Sequence, residues 1–84
     1  MNTFFGLMAE FDTAEIPLEK LCEKYFNLDI KTASTRAARS KLPVAAYRAG
    51  TQKSQWLVSA QALANYLDAC KKEAEDDWQK RNAA

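Results

Sequence analysis

At 84 residues the chain holds material for one small domain and no more. Its composition, 48% hydrophobic and 27% charged, is that of a globular chain rather than a disordered one. With no histidine and only two cysteines, Cys22 and Cys70, it lacks a metal-ligand set, a thiol–imidazole pair and the commonest general base.

The net charge of +1 is uninformative until it is resolved along the chain. Residues 1–29 carry six acids and two lysines. Residues 30–67 carry six bases (Lys31, Arg36, Arg39, Lys41, Arg48 and Lys53) and no acid, and residues 68–84 are again mixed. A central stretch free of carboxylates is the electrostatic footprint of a surface that meets phosphates. The longest uncharged apolar stretch near the start, Thr3 to Ala9, is far too short to span a bilayer and has no basic flank. A cytoplasmic protein with no membrane partner is expected.

A first helix is predicted from about Asn2 to Phe11, because Phe4, Leu7, Met8 and Phe11 recur at helical spacing. Asp12-Thr13 closes it as a turn. Pro17 suits the first turn of a second helix, in which Leu18, Leu21, Cys22, Tyr25 and Phe26 form one buried stripe. Asn27 tolerates the left-handed conformation that ends helices, and Asp29 is a good N-cap for the next. Two helices parted by only Asn27-Leu28-Asp29 make a helix-turn-helix.

The third helix is predicted from about Ile30 to Leu42. Ile30, Ala33, Ala37 and Leu42 mark its inward side. Lys31, Thr32, Thr35, Ala38 and Arg39 lie opposite, with Ser34 and Arg36 on the flanks. Small hydroxyls with Arg and Lys, and no carboxylate, let a helix approach base edges in the major groove. After Pro43 the pattern changes period. Val44 to Arg48 and Gln55 to Val58 read as a β-hairpin with its tip at Ala49 to Ser54. A hairpin after a recognition helix is a wing, whose tip residues Thr51, Gln52, Lys53 and Ser54 suit backbone or minor-groove contact. Ser59 can cap a last helix running to about Lys80, with a buried stripe of Leu63, Tyr66, Leu67, Cys70 and Ala74 that Trp78 extends. Both cysteines read as small buried hydrophobes. The expected fold is mainly α with a small β-hairpin: a single winged helix-turn-helix DNA-binding domain over residues 1–84.

The ordered set of motifs resembles the MerR/excisionase-type winged helices and, more closely, the pyocin activator (PrtN) family. It is carried by Ala14-Glu15-Ile16-Pro17-Leu18-Glu19, Cys22-Glu23-Lys24-Tyr25-Phe26 and Leu42-Pro43-Val44. It continues through Tyr47-Arg48, Lys53-Ser54-Gln55-Trp56-Leu57-Val58, Leu63-Ala64 and Tyr66-Leu67-Asp68. Where related excisionase-like proteins have glycine ahead of the wing, this chain has Ser40. The resemblance implies an activator of phage-like genes, such as those of phage-tail bacteriocins, with Trp56 in the core.

The candidate DNA-binding residues are therefore Lys31, Thr32, Ser34, Thr35, Arg36, Arg39, Lys41, Arg48, Thr51, Gln52 and Lys53. The partners expected are double-stranded DNA and, for an activator, RNA polymerase. Two other functions use the same residues differently: an excisionase-like architectural factor, and a phage adaptor that binds a host protein. A protein-binding face has no reason to exclude carboxylates, which counts against the adaptor. With no glycine-rich phosphate loop and no paired carboxylates, no enzyme and no cofactor are expected. Aromatic residues at both chain ends, Trp78 above all, lead to an expectation of self-association through the last helix, as a dimer or cooperatively on DNA.

Overall fold

A computed structural model describes residues 2–50 and 54–83. Its elements are α1 (Thr3–Phe11), β1 (Glu15–Pro17), α2 (Leu18–Phe26), α3 (Ile30–Ala38), β2 (Ala46–Arg48), β3 (Trp56–Ser59) and α4 (Ala60–Asn82). The order and the small sheet are those of a winged helix-like fold, as the sequence predicts.

Local chemistry sets most boundaries. Asn2 lies just outside α1 as its N-cap, its side chain accepting from the Phe5 N–H at 2.9 Å, while Asp12 ends the helix in the left-handed region. Asn27 ends α2 at φ 55°, and Asp29 caps α3 by accepting from the Thr32 N–H at 3.0 Å. The helix-turn-helix thus turns on Asn27-Leu28-Asp29, as the sequence predicts. Ser59 caps α4, accepting from the N–H groups of Gln61 and Ala62.

Four sequence expectations are corrected. Pro17 is not in the first turn of α2 but is the last residue of a strand absent from the sequence reading, with α2 starting at Leu18. β1 pairs antiparallel with β3, Ile16 opposite Val58, so the hairpin becomes a three-stranded sheet in the order β1-β3-β2. Three residues with one apolar side chain between Glu and Pro carry too little alternation to announce a strand. The hairpin strands are Ala46–Arg48 and Trp56–Ser59, shorter or shifted relative to the predicted runs.

The third correction concerns α3, which stops at Ala38 rather than Leu42. Ser40 turns into the left-handed region at φ 55°, and the N–H of Lys41 returns to the carbonyl of Arg36 at 2.8 Å. Pro43 also disfavours a helical Leu42 just before it. The fourth concerns α4, which extends to Asn82 while its buried stripe ends early: Leu63 and Ala64 are buried and Tyr66 and Leu67 half-buried, but Cys70 and Ala74 are exposed. The cover over α4 is α1, whose nine residues reach about 13 Å and end beside Asp68, where the Thr3 hydroxyl donates to the carboxylate.

The core gathers Leu7 of α1, Ile16, Leu18, Leu21 and Cys22 around Val58, Ala60, Leu63 and Ala64. Ala33 and Ala37 seat α3 on this core. Glu10 links α1 to α2 by accepting from Lys24 Nζ at 2.7 Å and from the Tyr25 hydroxyl at 2.9 Å. The Lys24 ammonium holds the Glu10 carboxyl below its usual range.

Candidate nucleic-acid interface

Small buried residues on one side of α3 free its other side. Ala33 is fully buried and Ala37 nearly so, which lets the backbone of α3 sit close to α2. At 100° per residue Thr35 then points almost directly away from the core, with Lys31 and Thr32 on either side of that direction. Lys31, Thr32, Thr35, Arg36 and Ala38 are all exposed, as the outward face requires. Ser34 is half-buried on the flank toward the wing.

The hydroxyl of Thr35 donates to the Lys31 carbonyl at 3.1 Å. Its proton is therefore spent within the helix, which leaves the oxygen only its lone pairs to offer, as an acceptor. Asp29 caps this helix, and hydrogen bonds from Thr32 hold its carboxyl below the usual range. The carboxylate thus serves the first turn of α3 as its cap.

Arg39 and Lys41 are exposed, but α3 no longer reaches Lys41 and holds Arg39 only at its end. Arg39 is the C-cap of α3, and Lys41 follows the left-handed turn at Ser40. Both charges gather where the chain leaves the helix. Ile30, expected on the inward side, is 43% exposed. In the first turn it overhangs the core and lines a cleft of about 230 Å³ with Leu18, Ser34, Arg48 and Trp56.

That cleft joins α3 to the wing. In the pairing of β2 with β3, Arg48 sits opposite Trp56, and its guanidinium lies 4.4 Å from the centre of the indole ring. Trp56 is half-buried against the core, as expected of a packing residue, and its indole nitrogen has no hydrogen-bond partner among the described residues. On the other side of β2 the Tyr47 hydroxyl donates to Glu15 at 2.6 Å, which ties the wing to β1. Sequence reasoning missed this tether, since it runs from an unpredicted strand. Gly50 opens the wing tip at φ 115°, a conformation other residues rarely adopt. The tip residues Thr51, Gln52 and Lys53 lie outside the described residues.

Ser34 and Arg48 thus meet in one cleft beside the exposed face of α3; both belong to residues 30–67, a stretch of sequence without a carboxylate, while Glu19 of α2 lines the same cleft. A family model described as pyocin activator protein PrtN matches residues 3–74, from α1 into the middle of α4. The chain belongs to the pyocin activator PrtN family. The match confirms the family resemblance of the sequence motifs. It places the chain among regulatory activators rather than in an enzyme family. Comparison with curated proteins and with solved structures gave no match. Among the described residues no group of three or more His, Cys, Asp or Glu is placed to hold a metal ion, and no helix is long and apolar enough to cross a membrane.

Proposed function

We propose that this PrtN-family protein is a sequence-specific DNA-binding activator of pyocin-type, phage-derived genes, acting in the cytoplasm as one winged helix-turn-helix unit over residues 1–84. The observation that carries the reading is the carboxylate-free outward face of α3, seated on α2 through Ala33 and Ala37 and continued by Arg48 of the wing. An α-helix, about 10–12 Å across with its side chains, fits a major groove about 12 Å wide, and the small outward residues Thr32, Thr35 and Ala38 let its backbone approach.

The roles follow from position. Thr35 offers an acceptor and a methyl to base edges, suited to the amino group of adenine or cytosine or to the thymine methyl. Thr32 and Ser34 flank it and contact the groove walls. Lys31, Arg36, Arg39, Lys41 and Arg48 meet phosphates and fix the register, and Thr51, Gln52 and Lys53, outside the described residues, add contacts to the backbone or minor groove on the strength of their sequence alone. RNA polymerase is the second partner, recruited by the bound activator.

Selection from a pool of randomised duplexes with the purified chain tests the reading. The expected result is enrichment of one motif whose guanines, once methylated in the major groove, interfere with binding. No enrichment at low salt would overturn it.

A further inference from the structure

Every residue of α4 from Asp68 onward is exposed, and past Lys71, which still lines a cleft with Thr3 and Tyr25, residues 72–82 project as about 16 Å of uncovered helix. A polar projection would need no explanation, but Trp78 stands on it 65% exposed. Cys70, Ala74 and Trp78 recur every four residues, so they follow one another along a single stripe. An isolated helix of this length is marginal in water and gains from a partner on that stripe.

The charges beside the stripe say which partner fits. Going toward the C-terminus, one side of it carries Glu73 and Asp77 and then Arg81: two acids followed by a base. When two identical helices pack antiparallel, a two-fold axis crosses the pair and the same flank of each meets itself, reversed. With the axis at Trp78, reversal places Arg81 of each copy level with the turn between Glu73 and Asp77 of the other. The ion pair within the chain, Lys72 to Asp76 at 3.7 Å, lies on the opposite side of the helix and does not compete.

We infer that the distal half of α4 is a self-complementary docking surface for a second copy of this chain, packed antiparallel, Trp78 against Trp78, with Arg81 of each copy facing Glu73 and Asp77 of the other. Ala74 lets the helices approach closely on one side of the indole contact. The surface is short, at the low end of interface sizes, so association is reversible and concentration-dependent. Two bodies related by a two-fold axis read an inverted repeat, and binding to it is cooperative.

Sedimentation equilibrium on the full chain tests this with two charge variants, Glu73→Lys/Asp77→Lys and Arg81→Glu, and with Trp78→Ala. The wild type is expected to form dimers as concentration rises. Each charge variant alone opposes like charge to like charge and weakens association about tenfold or more. An equimolar mixture of the two restores it, a recovery that changes in helix stability within either chain cannot produce. Trp78→Ala remains monomeric, and circular dichroism reports the folded state of every variant. A wild type that stays monomeric to its solubility limit, a mixture that fails to associate, or a Trp78→Ala chain that dimerises like wild type would each overturn the inference. Binding to a single isolated half-site is unchanged in all three variants, so a failure here is separable from a failure to bind DNA.

Discussion

Replacing Ser40 by glycine is expected to stabilise the protein, which few substitutions in a small domain do. Ser40 holds φ at 55° to end α3, a conformation that brings Cβ against the following carbonyl and costs about 1–2 kcal/mol for most residues. Glycine removes that cost but gives the unfolded chain more freedom, which offsets about 0.4–1 kcal/mol. The net gain is about 0.5–1 kcal/mol, equivalent to a rise in Tm of about 3–6 °C for a domain of this size. Ser40→Val, branched at Cβ, is expected to lower Tm through the same geometry. Thermal unfolding followed by circular dichroism, with both variants beside wild type, measures the pair. A Ser40→Gly chain no more stable than wild type would refute the reasoning. It would mean that the left-handed turn is not the native path and that α3 runs on toward Leu42. Since the turn is unchanged in Ser40→Gly, Arg39 and Lys41 keep their places and DNA affinity is expected to match wild type.

Leu21 is fully buried in α2 at the centre of the core, so Leu21→Ala is expected to cost about 2–5 kcal/mol in denaturant unfolding. Glu10, its carboxyl held low by Lys24, contributes stability that is fully present above the ordinary carboxylate range and lost as pH falls through its depressed value. Chemical denaturation across the acid range should show a shallower decline for Glu10→Gln, and an identical decline would deny the contact a role. On DNA, Thr35→Val keeps the shape but removes the acceptor. It is expected to cost about 1 kcal/mol on the selected motif and almost nothing on scrambled duplex, as measured by fluorescence anisotropy.

The helix-turn-helix was legible because its signals are local. Asn27 and Asp29 are a helix stop and a helix start within three residues, and the stripes on either side keep one period. The outward face of α3 was legible for the same reason, since Ala33 and Ala37 mark the buried side and the rest follows from geometry. What was not legible depends on contacts distant in sequence. β1 exists because Ile16 meets Val58 across the sheet, and Tyr47 reaches Glu15 only once that strand is in place. The end of α3 was misplaced because serine at position 40 gives no sign of the left-handed turn that glycine would have announced. The buried stripe of α4 was extended too far because periodicity shows which side of a helix is apolar, not how far its cover reaches. Cys70 continues the stripe in sequence while its side of α4 is left exposed.

The salt dependence of DNA affinity tests the central claim most directly, because only a surface that displaces counterions from phosphate produces it. Five described cations, Lys31, Arg36, Arg39, Lys41 and Arg48, surround the α3 face, with Lys53 beyond them in sequence. Four to six phosphate contacts give a slope of about −4 to −5 for log K against log salt concentration. Lys31→Ala should make that slope shallower by about one unit while leaving the fold intact. A slope near zero for the wild type, or a Lys31→Ala slope identical to it, would contradict the assignment of α3 as the DNA-facing helix.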